Sequence, residues 1–116
     1  MLLTSLAVSG QAPRADFKPV TDAMLRSPSA DDWINWRRTQ NGWGYSPLKQ
    51  VTRQNVGTLR SVWSRELPQG TMQTTPLVHG GVMYIPGTWG IQALDATTGE
   101  PLWEFRTIAN SSPSTQ

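Results

Sequence analysis

The sequence predicts an all-β fold, and three observations carry that prediction. Leu77-Val78 and Val82-Met83-Tyr84-Ile85 are short β-rich runs separated by His79-Gly80-Gly81. A Gly-Gly pair in that place supplies the positive φ angles of a primed hairpin turn. A second pair of runs, Ile91-Gln92-Ala93-Leu94 and Pro101-Leu102-Trp103-Glu104-Phe105, flanks Asp95-Ala96-Thr97-Thr98-Gly99. Ten glycines and nine prolines in 116 residues add the turn content of a β fold. Four strands in succession with no helix between them have the anatomy of one β-propeller blade.

Composition narrows the remaining classes. The net charge is +2 and charged residues make up 16% of the chain, so no electrostatic footprint for nucleic acid is present. Arg37-Arg38 is the only adjacent basic pair and reads as a solvated patch. The absence of cysteine removes disulfides, thiolate metal sites and a thiol nucleophile. No apolar run is long enough to span a bilayer. Six tryptophans against two tyrosines and two phenylalanines point to a repeated structural use of Trp.

In chain order, residues 1–15 begin with a short, apolar, small-residue stretch. It reads either as the remnant of a secretory leader or as a disordered tail. Residues 16–58 form a helical and loop lead-in. Thr21 is a suitable N-cap, Asp22 suits the first turn, and Pro28 stops the helix. Ser29 and Asp32, three apart, offer a second helix start, which would set Trp33 and Trp36 on one packing face. Asn41-Gly42-Trp43-Gly44-Tyr45-Ser46-Pro47-Leu48 reads as loop.

Residues 59–106 form the blade region. Residues 59–66 alternate apolar and polar side chains as an edge strand does, and residues 67–75 are a turn-rich connection. Pro76 is tolerated at the first position of the next strand. His79, the sole histidine, has no acidic or His neighbour at metal-ligand spacing and reads as a surface turn residue. Trp89 falls in the turn within the blade. Asp95 can accept backbone N–H bonds in its turn, and Gly99 suits a left-handed conformation. Residues 107–116 are polar and turn-rich and read as a disordered end.

Ala93-Leu94-Asp95-Ala96-Thr97-Thr98-Gly99-Glu100-Pro101-Leu102-Trp103 resembles the Ala-x-Asp-x-x-Thr-Gly-x-x-x-Trp repeat of quinoprotein propellers. Asp32-Trp33, the 41–48 loop, Val51-Thr52, Asn55-Val56, Leu59 and Trp63 resemble the lead-in of pyrroloquinoline quinone (PQQ)-dependent alcohol dehydrogenases. The resemblance covers residues 20–105. It implies an incomplete quinoprotein-type β-propeller, about one blade plus the strand before it, preceded by short helical and loop segments. It also implies that Trp103 docks against a neighbouring blade.

The same resemblance implies a periplasmic enzyme that oxidises alcohols with PQQ and calcium or a lanthanide, and passes electrons to a cytochrome c. In that family an acidic residue three before the proline of the Thr-Pro-Leu-Val-like segment contacts the quinone. Gln73 stands at that position here. Its carboxamide keeps donor and acceptor capacity without the charge, and the alternative reading is a solvated loop residue. The family's base, metal carboxylates and most quinone contacts come from later blades, so no catalytic or metal-ligating residue is assigned in this chain. An N-terminal piece of such a dehydrogenase, inactive alone and without stably bound cofactor, is the expected function. The alternative is a non-catalytic propeller scaffold of the bacterial envelope, and exposed blade edges add the prospect of self-association.

Overall fold

The computed structural model describes residues 18–67 and 73–107. The expectations for residues 1–15, and for the end of the chain past Thr107, lie outside the described residues.

The strands are β1 (Leu77–His79), β2 (Val82–Gly87), β3 (Gly90–Asp95) and β4 (Pro101–Arg106). They form one antiparallel sheet in the order β1-β2-β3-β4, each strand pairing with its sequence neighbour. Turn chemistry sets that register. Gly80 and Gly81 both have positive φ (57° and 81°), so His79 pairs directly with Val82. Gly90, at φ 138°, lies against the backbone of β4. An added Cβ there would fall 1.9 Å from the Phe105 carbonyl oxygen, so only glycine admits this approach. The β3–β4 ladder shifts register between Ala93 and Leu94, a local irregularity beside the Asp95 turn.

Cross-strand partners share a face of the sheet. One face carries Met83, Ile85, Gln92 and Leu94, and of these Ile85, Gln92 and Leu94 are buried. The opposite face carries Tyr84, Ile91, Trp103 and Phe105, with Ala93 beneath them fully buried. Tyr84 and Trp103 lie with ring centroids 6.1 Å apart at a tilt of 56°. Ile91, Trp103 and Phe105 remain exposed, so this face has no cover among the described residues.

The lead-in follows the expected local signals at its start. Helix α1 (Asp22–Arg26) is capped by Thr21, whose hydroxyl accepts from the Met24 N–H. The second helix expected from Ser29 does not form. Instead Trp33 makes a two-bond antiparallel bridge to Val78, and this pairing holds residues 32–34 extended along β1. Two long-range backbone hydrogen bonds here outweigh a weak local capping signal. Trp33 and Trp36 therefore share no helical face, and Trp36 is exposed. Arg38, at φ 67°, turns the chain back. Its buried guanidinium donates to the Pro28 and Ser29 carbonyls.

Residues 41–48 are loop, as their sequence requires, with Gly42 and Gly44 at positive φ. Residues 59–66 differ from expectation. They form no ladder among the described residues, and only Trp63 is more than slightly covered. An alternating pattern specifies a strand only where a partner edge lies alongside, and β1 already pairs with Trp33.

Candidate functional site

Two constellations tie the lead-in to the sheet, both at the end where His79, Val82 and Asp95 lie in register. The first is the turn after β3. Asp95 Oδ1 accepts from the backbone N–H groups of Thr97 (2.8 Å) and Thr98 (3.0 Å). These bonds hold its carboxyl below the usual carboxylate range, with the Thr98 N–H the larger cause. The Gly99 N–H closes the turn on the Asp95 carbonyl, and Gly99 sits at φ 75°. Asp95 is thus the turn-builder that its spacing implies. Ala96 N–H reaches the Gly81 carbonyl, which joins this turn to the β1–β2 hairpin.

Trp63 lies on this turn. Its indole N–H donates to the Ala96 carbonyl at 3.2 Å, across 33 residues of sequence. A Cβ on Gly99 would meet the Trp63 ring carbons at 2.7 Å, so the ring rests on the glycine. Next to it, Arg65 Nε donates to Oε1 of the buried Gln92 at 3.4 Å. Sequence reasoning did not place Trp63 here.

The second constellation corrects the reading of His79 as a surface turn residue. His79 is buried, and its Nδ1 lies 3.0 Å from Asp32 Oδ2. The other oxygen of Asp32 accepts from the Gly80 N–H at 3.0 Å. The Trp33–Val78 bridge brings Asp32 alongside the hairpin, and no spacing in the sequence reports that approach. His79 Nε2 is buried without a partner among the described residues.

Gln73 is exposed, three residues ahead of Pro76. The next residue, Thr74, donates its hydroxyl to the Pro86 carbonyl at 2.7 Å. That bond places Gln73 at the end of the sheet where β2 finishes, β3 begins and Thr107 leaves β4. There the Thr107 N–H donates to the Trp89 carbonyl. Gln73 and His79 are therefore at opposite ends of β1.

Comparison with known proteins joins these features. The family model for the β-propeller domain of PQQ glucose/ethanol/alcohol dehydrogenases matches residues 33–116. The chain belongs to this PQQ dehydrogenase family. The dehydrogenase subunit of a quinone alcohol dehydrogenase from Gluconobacter oxydans is 36% identical over 107 residues, covering 87% of this chain and 14% of that protein. The corresponding subunit from Gluconacetobacter polyoxogenes is 43% identical over 82 residues, covering 66% of this chain and 11% of its own length. Among solved structures, the quinohemoprotein alcohol dehydrogenase ADHIIG of Pseudomonas putida HK5 superposes with a TM-score of 0.66 at 36% identity. That match covers 75% of this chain and 13% of the other. The chain thus spans 11–14% of the length of these relatives, and its sheet is part of a quinoprotein propeller.

The residues present fit the family's two groups unequally. The exposed Gln73 carboxamide offers two donor hydrogens, which suit the quinone and carboxylate oxygens of PQQ. Among the described residues no group of three or more His, Cys, Asp or Glu is placed to hold a metal ion.

Proposed function

We propose that this chain is the N-terminal part of a periplasmic quinone-dependent alcohol dehydrogenase. The complete enzyme oxidises an alcohol to an aldehyde or ketone and passes the electrons to a cytochrome c. The observation that carries this reading is the docking of Trp63 on the Gly99 turn. A tryptophan from outside the blade occupies the turn of the very repeat that ends in Trp103. Trp103 is itself 42% exposed on the uncovered face, which supports its docking on the equivalent turn of a following blade. A relative from Thauera butanivorans, 37% identical over 76 residues, is named as a 1-butanol dehydrogenase (cytochrome c), which supports the electron acceptor.

PQQ, when bound, supplies the two-electron acceptor. Gln73 contributes one hydrogen-bonding contact to it through its amide hydrogens and itself carries no charge. The open face carrying Trp103 and Phe105 leaves the blade without the enclosure that excludes water from a reacting centre, and this chain alone is therefore inactive.

The test is dye-linked oxidation of short primary alcohols in the presence of PQQ and calcium. The native gene product, isolated from its own cells, turns over under these conditions, and the 116-residue chain does not. Turnover by the 116-residue chain alone, or a native product that binds no quinone, overturns the reading.

A further inference from the structure

The lead-in carries three asparagines among the described residues, and their carboxamides are held in different ways. Asn35 Nδ2 donates to the Leu25 and Arg38 carbonyls, so its nitrogen is anchored. Asn55 is engaged at both ends. Its Oδ1 accepts from the Thr52 N–H at 2.7 Å, and its Nδ2 donates to the Gln50 carbonyl at 2.7 Å. Asn41 differs from both. It is exposed, its Oδ1 accepts from the Thr39 hydroxyl and, at 3.4 Å, from the Trp43 N–H, and its nitrogen makes no bond among the described residues.

The next residue differs as well. Trp36 follows Asn35 and the β-branched Val56 follows Asn55, whereas Gly42 follows Asn41. A main-chain nitrogen is open to attack on the preceding carboxamide where no side chain stands beside it. Gly42 has no Cβ, and nothing lies within 4 Å of where one would stand. The Asn41 side chain also curls forward along the chain, because its oxygen is bound to the N–H two residues on. The ring closed by that bond contains the Gly42 nitrogen, so Asn41 Cγ and the nitrogen are held near one another.

We infer that Asn41 is a site of spontaneous covalent modification, with the Gly42 main-chain nitrogen as nucleophile and water as co-reactant. The nitrogen bonds to Asn41 Cγ, its proton passes through water to the departing amide nitrogen, and ammonia leaves a cyclic imide. Water then opens the imide at either carbonyl, which gives aspartate or isoaspartate at 41. Negative charge gathers on Oδ1 as the new bond forms, and the Thr39 hydroxyl and Trp43 N–H are both aimed at that oxygen. The Gly42 N–H donates to the Thr39 carbonyl at 2.9 Å, so a base must compete for its proton and the rate rises with pH. Isoaspartate routes the main chain through the side-chain methylene. The added carbon lies inside the turn closed by the Gly42 and Gly44 N–H groups on the Thr39 and Arg37 carbonyls, so modification opens the loop that carries Trp43.

The test holds the native gene product at mildly alkaline pH and maps it by peptide mass spectrometry. Residue 41 is expected to exchange its amide for an acid, with isoaspartate outnumbering aspartate, while Asn35 and Asn55 stay intact. An Asn41 that survives in the folded protein but reacts in urea overturns the proposal. Aspartate without isoaspartate also overturns it, because direct hydrolysis needs no imide. Thr39→Val removes one donor from Oδ1 and is expected to slow the reaction about fivefold, less than the loss of a donor in an enclosed site. A variant whose near-UV circular dichroism matches the parent and which reacts as fast or faster overturns the role given to the hydroxyl. The pH profile needs no variant: a rate that does not rise between neutral and alkaline pH overturns attack by the Gly42 nitrogen.

Discussion

The Trp63 ring rests on Gly99, and this contact joins the lead-in to the blade through a residue with no side chain. Gly99 serves twice. It adopts φ 75°, which an L-residue reaches only at a cost, and it leaves room for the ring, whose carbons come within 2.7 Å of where a Cβ would stand. A half-buried tryptophan contributes roughly 2 kcal/mol at about 25 cal/mol per Å² of apolar area. The bond from its N–H to Ala96 adds direction to that burial.

Gly99→Ala is expected to destabilise the chain by about 2 kcal/mol. Roughly half comes from the left-handed backbone, and the remainder from displacing the indole. Urea unfolding followed by far-UV circular dichroism measures the loss, and tryptophan emission in the native baseline reports the displaced ring. A stability unchanged within 0.5 kcal/mol, taken as a rough error, rules out the contact as a contributor.

Asp32 and His79 are coupled across 47 residues. Asp32→Ala removes acceptors from both His79 and the Gly80 N–H, and is expected to cost about 2–3 kcal/mol because buried polar groups are left unpaired. His79→Ala leaves the Gly80 bond intact and is expected to cost less. A double-mutant cycle by urea unfolding should give a coupling of about 1 kcal/mol, and a coupling near zero would mean that the two side chains are neighbours without interaction.

Asp95 sets an acid limb. Its folded-state pKa lies below the ordinary 3.8, so its stabilising effect is present above that value and is lost as pH falls through the lower folded-state value. The parent chain is expected to lose stability below about pH 4, and Asp95→Asn should flatten that loss. Chemical denaturation at pH 2.5, 4 and 7 resolves this. Parallel acid limbs in the two proteins would place the sensitivity elsewhere.

The contribution of Trp103 should depend on context. In the 116-residue chain Trp103→Phe is expected to change stability by under about 1 kcal/mol, because the ring is 42% exposed. If the ring docks on a following blade as proposed, the same substitution in the full-length protein should cost about 2 kcal/mol or more. Equal costs in the two settings would show that Trp103 serves only its own sheet.

Gln73→Glu in the complete enzyme tests the quinone contact. A carboxylate accepts but does not donate, so quinone affinity should change at least about fivefold, which corresponds to about 1 kcal/mol. Gln73→Ala should lower it by a similar factor. Titration of the quinone-free enzyme followed by quinone fluorescence gives both values, and unchanged affinity in both variants would return Gln73 to the solvent.

What the sequence determined by itself is local. Gly80-Gly81 and the Asp95–Gly99 turn each encode a hairpin within a few residues, through positive φ angles and side-chain bonds to nearby N–H groups. Strand order followed, because short turns leave antiparallel neighbours as the only pairing. Thr21 capped α1 for the same reason. The tertiary structure alone decided which distant groups meet. The edge of β1 drew Trp33 out of a helix and set Asp32 against His79, and the free residues 59–66 laid Trp63 on Gly99. Local turns are governed by dihedral sterics that one residue can satisfy. Long-range contacts depend on which edges and faces are still unpaired once those turns have formed, and that is a property of the assembled sheet.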